Sequence, residues 1–220
     1  MEYILTSLTP LTSVLWAIGT TQHNLTDFGR KQAIDSAPAV IEMAGGLQAF
    51  VDDKVVFVTS PFTRAKETAA ACTDSIEDLL NNIGQGVAYD LESEWLTIQY
   101  HDHLRERHFG DFDQLPLVFY NKVWPRDMIN AENSHYDVES VQQVSDRLAN
   151  VITDLENKYS DKYIVLTSHA DTLQILHTLM SQEDPRYFCL YRFKNCEARL
   201  LIDDDLSSKR TALNYDGVNP

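Results

Sequence analysis

KVVFVTSPFTRAKETA, Lys54–Ala69, is the stretch on which the fold turns. Its first part, KVVFVT (Lys54–Thr59), is a continuous β-branched run of the kind that suits a parallel strand covered on both faces. Its second part, SPFTRAKETA (Ser60–Ala69), opens a helical pattern, with Ser60 as N-cap and Pro61 at the first helical position. Working outward, YILT (Tyr3–Thr6) and KYIVLT (Lys162–Thr167) repeat the strand signal, and each of the three runs leads into a serine: Ser7, Ser60 and Ser168. Polar residues at the carboxyl ends of parallel strands are where open α/β sheets bind ligands. Helical patterns cover Thr26–Met43, Pro61–Thr73, Val138–Tyr159 and Ala170–Met180. Pro38 is expected to kink or restart the first of them, and Gly45–Gly46 to end it. Leu91–Glu132, rich in aromatic and charged residues, reads as an irregular insertion over the ligand edge of the sheet. Alternating strands and helices imply an α/β fold with a largely parallel sheet.

The chain has 220 residues, room for one large domain or two small ones. No composition break marks a second domain, so residues 1–205 are expected to form one domain and residues 206–220 a polar C-terminal tail. Lys plus Arg number 18 and Asp plus Glu 33, a formal net charge of −15. Such a chain repels nucleic acid and anionic membrane surfaces, so neither is an expected partner, and a phosphorylated ligand needs a local basic pocket. No apolar run approaches the ~18 residues of a membrane span. The first 29 residues carry no Lys or Arg, which argues against a signal or transit peptide. Cys72, Cys189 and Cys196 are odd in number and match no zinc spacing. The expectation is a soluble protein of a reducing, cytoplasmic compartment.

Three segments carry candidate chemistry. In SPFTRAKETA, Arg64 stands beside a helix start, where free N–H groups and a guanidinium can clamp a phosphate; taken alone, such a cap more often belongs to an ordinary surface helix. In TSHADTLQIL (Thr167–Leu176), His169 lies between a buried strand and a helix and is suited to anion binding or proton transfer, or to a plain backbone contact. In LRERHFGDFD (Leu104–Asp113), Glu106 sits among Arg105, Arg107 and His108, as a general acid or as part of a solvated charged loop. His101, His103 and His108 are a weak metal pattern, so no metal is expected there.

Taken in order, these segments resemble the histidine phosphatase superfamily, the phosphoglycerate-mutase-like proteins. LTDFGRKQA (Leu25–Ala33) is similar to that family's LTxxGxxQA helix start and SPFTRAKETA to its SxxxRAxxTA segment. LRERHFGDFD resembles its LxExxxG segment, VESVQQVSDRL (Val138–Leu148) its GESxxxxxxR helix, and LTSHADTLQIL its second-histidine segment, with Ala170 in place of the usual Gly. The resemblance spans Leu25–Leu201. It implies a three-layer α/β fold with a mixed, mostly parallel sheet flanked by helices, and phosphoryl transfer through a phosphohistidine with no metal or other cofactor. On matching positions Arg64 would clamp the phosphate, Glu106 would donate a proton to the leaving oxygen, and His169 would be the second histidine of the phosphate pocket. The implied partner is a phosphorylated small molecule or a phosphoprotein.

The family's Arg-His-Gly at the end of the first strand is missing. Aligning the strand ends puts Ser7, Leu8 and Thr9 at those positions. Leucine has no lone pair with which to attack phosphorus, and serine does not replace a guanidinium fork. The family's following Asn is absent as well, with Val14 nearest. The only histidine before His101 is His23, in an approach loop without an accompanying Arg. Three readings follow: a degenerate, weakly active or inactive phosphate-ester binder; an active phosphatase or mutase whose true N-terminus carries the motif, given the uncharged stretch Ser7–Gln22; and a non-catalytic interaction scaffold using the aromatic residues of Leu91–Trp124. Within an active reading a phosphatase is preferred, because the N-terminal part supplies no basic residue for a doubly charged phosphoglycerate, although KVWPRD (Lys122–Asp127) looks mutase-like.

Overall fold

The computed structural model describes residues 2–8, 24–83 and 96–201. Five strands form one sheet in the order β3-β2-β4-β1-β5: β1 (Glu2–Leu8), β2 (Val55–Thr59), β3 (Ile98–Tyr100), β4 (Tyr163–His169) and β5 (Ala198–Leu200). The β3-β2-β4-β1 pairings are parallel, and β5 closes the β1 edge antiparallel, as a mixed, mostly parallel sheet requires.

Alternation along the central strands divides the core in two. Val55, Phe57 and Val165 pack with Ala37, Val40, Cys72 and Ile76 of α1 (Asp27–Met43) and α3 (Thr63–Ile83), and with Phe50 of α2 (Leu47–Val51). Val56, Val58, Ile164 and Leu166 pack with Val144, Leu148 and Val151 of α5 (Val141–Lys158) and Leu173 and Leu176 of α6 (Ala170–Met180). A short α4 (Trp124–Asp127) lies in the insertion.

Several boundaries differ from the sequence expectation. Pro38 does not restart α1, which runs on through it to Met43. Pro38 lies on the exposed face, so the carbonyl four residues back is left to water while Ala33, Ala37 and Val40 hold the other face in the core. Gly45 and Gly46 do end it, at φ 81° and 103°. Helix α3 starts at Thr63 rather than Pro61 and continues past Thr73, because Ile76 and Leu80 extend the buried stripe of Ala65, Ala69 and Cys72. Ser60 is therefore not its N-cap. Ser140 caps α5, with Gln143 completing a reciprocal capping box. The described part of the insertion holds β3 and 3₁₀ turns around α4, and strands β3 and β5, three residues each, carried no sequence signal.

What orders the insertion is a buried ion pair. Arg107, 1% exposed, donates to both oxygens of Asp127, 0% exposed, at 2.7 and 3.0 Å. Its Nε donates to the Glu139 carbonyl at 2.6 Å, and Asn133 Nδ2 donates to Asp127 Oδ1 at 3.2 Å. Gly110 is required nearby: its φ is 54°, and a Cβ there would stand 2.0 Å from the Tyr136 carbonyl oxygen. No helix among the described residues is long and apolar enough to cross a membrane. The segment expected to be a polar tail, 206–220, lies outside the described residues.

Removing one partner of a buried pair strands the other's charge. Arg107→Met should lower unfolding stability by about 3–5 kcal/mol in chemical denaturation, and the Arg107→Met/Asp127→Leu double variant should lose less than the single one.

Candidate active site

The site gathers at the carboxyl ends of β1, β2 and β4. His169 ends β4, caps α6, and is fully buried. Ser60 follows β2 and is also fully buried; its Oγ lies 2.8 Å from His169 Nε2 and accepts from the Phe62 N–H at 3.3 Å. Arg64, in the first turn of α3, brings Nη2 to 3.0 Å from His169 Nδ1. The Phe62 ring stands against the imidazole, centroids 5.1 Å apart.

These contacts fix the protonation of His169. A guanidinium only donates, so Nδ1 must be the acceptor and Nε2 carries the hydrogen that is given to Ser60 Oγ. The imidazole is neutral. Burial, and then the charges of Arg64 and Arg147, hold its pKa well below the ordinary histidine value. The contact looks like a serine–base pair, but the base's lone pair faces Arg64, so Ser60 is not activated as a nucleophile. An entering phosphoryl oxygen would instead compete for the Arg64 guanidinium and free Nδ1.

Glu106 reaches the site from the insertion. Its Oε1 accepts from the Arg107 N–H at 2.9 Å and from the Thr172 hydroxyl at 3.2 Å. Burial, then the charge of Asp171, pushes its pKa up to about 7, against the hydrogen bond from Arg107, the charge of Arg64 and the Thr172 bond. A carboxyl with that pKa is partly protonated at neutral pH and can give a proton to a leaving oxygen. Tyr120 shares this environment: burial and then the charges of Glu106, Asp113 and Asp171 raise its hydroxyl pKa, so it stays neutral.

The loop bearing Glu106 is fastened to both helices of this face. Glu139 accepts from Arg105 Nη2 and Arg147 Nε, each at 2.8 Å, and from the His108 N–H at 3.2 Å. Burial raises the Glu139 carboxyl, but the hydrogen bond and charge of Arg147 and the further contacts outweigh it and hold it below its ordinary value. Arg147 also donates to the carbonyls of His103 and Arg105. Ser168 donates to the Leu104 carbonyl at 2.6 Å and Thr172 to that of Arg105 at 2.9 Å.

Thus Arg64, His169 and Glu106 converge. In the parallel register of β1 and β4, Ser7 is opposite Ser168 and Leu8 opposite His169, so the β1 position beside His169 is a leucine. Thr9 and His23 lie outside the described residues. His101 and His103 stack at 5.5 Å while His108 Nδ1 turns to Asp113 at 2.9 Å; no group of three or more His, Cys, Asp or Glu among the described residues is placed to hold a metal ion. Sequence reading missed Ser60 as the partner of His169, and Thr172 and Asp171 as neighbours of Glu106. The Glu139–Arg147 pair had a signal, since both sit in VESVQQVSDRL eight residues apart, two helical turns.

In ¹⁵N NMR, His169 should be the neutral Nε2–H tautomer at neutral pH. Arg64→Met removes one of the causes depressing it, so the His169 pKa should rise in that variant; an unchanged value would break the assignment of Nδ1 to Arg64.

The fold is shared with known proteins. The chain is 27% identical over 130 residues to a Bacillus subtilis (strain 168) protein described as an uncharacterized phosphatase, PhoE; the match covers 59% of this chain and 55%, about half, of that relative. Solved structures with the same fold include a mycobacterial glucosyl-3-phosphoglycerate phosphatase, with TM-score 0.64 and 18% identity over 91% of this chain and 88% of that one. Another is the alpha-ribazole phosphatase from Shigella flexneri, with TM-score 0.60 and 18% identity over 91% of this chain and 89% of that one. At such identities the structures speak for the fold alone. Residues 14–210 match the histidine phosphatase superfamily (branch 1), most of the chain's length, and the chain belongs to that superfamily.

Proposed function

We propose that this protein binds a phosphomonoester in the pocket of Arg64, His169 and Glu106, and turns it over weakly or not at all for want of a phosphohistidine nucleophile. The observation that carries the reading is the register of β1 on β4: the residue opposite His169 is Leu8, preceded by Ser7 rather than a second arginine. A single guanidinium with the neutral His169 behind it still offers a phosphate one charge-assisted fork. Loss of a nucleophile commonly costs several orders of magnitude in rate. That the B. subtilis relative and several structural neighbours are named phosphatases supports a phosphate ester as ligand, carried on a small molecule or on a protein. Three thiols without a disulfide, Cys72, Cys189 and Cys196, fit a reducing, cytoplasmic setting, and the formal charge of −15 fits partners other than nucleic acid or anionic membrane.

A second reading, catalytic turnover as a phosphatase, is favoured by one feature: Glu106 is held with a pKa of about 7, the state a proton donor needs and a mere binder does not. An interaction scaffold has weaker support. Among the aromatic residues of Leu91–Trp124, Phe109, Phe112 and Tyr120 are buried and stack on one another or on neighbours inside the loop.

The test pairs hydrolysis of p-nitrophenyl phosphate with calorimetric binding of inorganic phosphate. Wild type should bind phosphate without measurable hydrolysis, Arg64→Ala should weaken binding by about tenfold or more, and Ser7→Arg/Leu8→His should gain hydrolysis. Turnover by wild type would establish the second reading; absence of both binding and hydrolysis would leave the scaffold.

A further inference from the structure

Ser60 and His169, both fully buried, share a hydrogen bond that is able to run in either direction. Ser60 itself is firmly placed. Its N–H donates to the Thr167 carbonyl at 2.9 Å, from the end of β2 across to β4, and its Oγ accepts from the Phe62 N–H at 3.3 Å. One lone pair of Oγ is thus committed. The other lone pair and the hydroxyl hydrogen remain for His169 Nε2, 2.8 Å away. A hydroxyl accepts from an imidazole N–H or donates to an imidazole lone pair equally well. A backbone carbonyl in its place would only accept, and a backbone N–H would only donate. Either would lock the ring in one tautomer.

In the free protein Arg64 sets the direction. Its guanidinium only donates, so Nδ1 accepts at 3.0 Å and Nε2–H is given to Ser60. A phosphate ester that draws the guanidinium away leaves Nδ1 facing an anionic oxygen, and that oxygen is an acceptor too. Two lone pairs then oppose each other. The imidazole meets the oxygen with an N–H in one of two ways: it gains a proton, or it stays neutral and carries its hydrogen on Nδ1. Gaining a proton charges a fully buried ring on which Arg64 and Arg147 already act. Changing tautomer adds no charge. It needs only that the Ser60 hydroxyl turn, which gives the hydroxyl hydrogen the Nε2 lone pair as its acceptor.

We propose that Ser60 is a positioning residue that lets His169 change tautomer when a phosphate ester binds. In the free protein the hydrogen is on Nε2 and Nδ1 accepts from Arg64. In the complex the hydrogen is on Nδ1 and is donated to a phosphoryl oxygen, while the Ser60 hydroxyl donates to Nε2. The proposal rests on the reading of the Arg64, His169 and Glu106 pocket as a phosphate site. One proton leaves Nε2 for water and one joins Nδ1 from water, so the ring takes up no net proton and stays neutral throughout. The imidazole does not have to move: Ser60 holds it at Nε2 in both states, and the Phe62 ring stands against it with centroids 5.1 Å apart.

The experiment follows the two ring nitrogens of His169 by ¹⁵N NMR in the full chain, with His169→Gln to identify the signals. Inorganic phosphate is the probe, at about pH 8, above its second ionisation. Calorimetry on the same samples measures binding. The free protein should show Nε2–H and a bare Nδ1, and the phosphate-saturated protein Nδ1–H and a bare Nε2. Ser60→Ala should weaken phosphate binding by about two- to tenfold, and Ser60→Thr, which keeps the hydroxyl, should restore it. Amide spectra establish that each variant is folded; if one is not, the wild-type comparison decides alone. Bound phosphate with His169 still Nε2–H, or with both nitrogens protonated, overturns the proposal and leaves the phosphate pocket standing. Folded Ser60→Ala that binds phosphate as tightly as wild type overturns it as well. Absence of phosphate binding to wild type overturns the pocket and the proposal together.

Discussion

A single guanidinium, that of Arg107, makes the insertion into structure. Buried with Asp127 and tied to the Glu139 carbonyl, it joins the loop of Glu106, helix α4 and the entry to α5 at one point. An unpaired charge at that depth would be prohibitive, so the three segments have little freedom to separate. The residue next to it in sequence, Glu106, is held where its carboxyl meets Thr172 and feels the charge of Arg64, and its Oε1 is bonded to the N–H of Arg107 itself. The structural anchor and the chemical group are neighbours on one short stretch of backbone.

A second polar frame ties this stretch to the sheet. Glu139 and Arg147 bracket the first two turns of α5 and grip the 103–108 segment from below, while Ser168 and Thr172 take its carbonyls from the end of β4 and the start of α6. The buried polar groups around the pocket are therefore satisfied largely by one another, which is the condition for keeping such groups inside at low cost. It also separates two kinds of basic residue. Arg105, Arg107 and Arg147 are spent on carboxylates, and Arg64 rests on a neutral imidazole, so Arg64 is the one of the four placed to meet an anion.

The first strand pairs with β4 beside this frame. Ser7 and Leu8 continue the β1–β4 ladder to its end, opposite Ser168 and His169. Strand pairing depends on backbone hydrogen bonds and is indifferent to which side chains stand at those positions.

The sequence by itself determined the strands, the main helices and the family, because β-branched runs, helical periods and ordered motifs are local and one-dimensional. It also singled out Arg64, Glu106 and His169, since the motif positions mark the ends of those elements. The continuity of α1 through Pro38 was decided in three dimensions, by which face of the helix met the core. So were the short strands β3 and β5, which are held by neighbours and not by their own composition. The state of the site belonged wholly to the tertiary structure. That His169 is neutral follows from Ser60 and Arg64, 109 and 105 residues away in the chain, and that the Glu106 carboxyl is pushed up to about 7 follows from burial and from the charge of Asp171. A pKa and a tautomer are properties of surroundings, and surroundings exist only once the chain has folded.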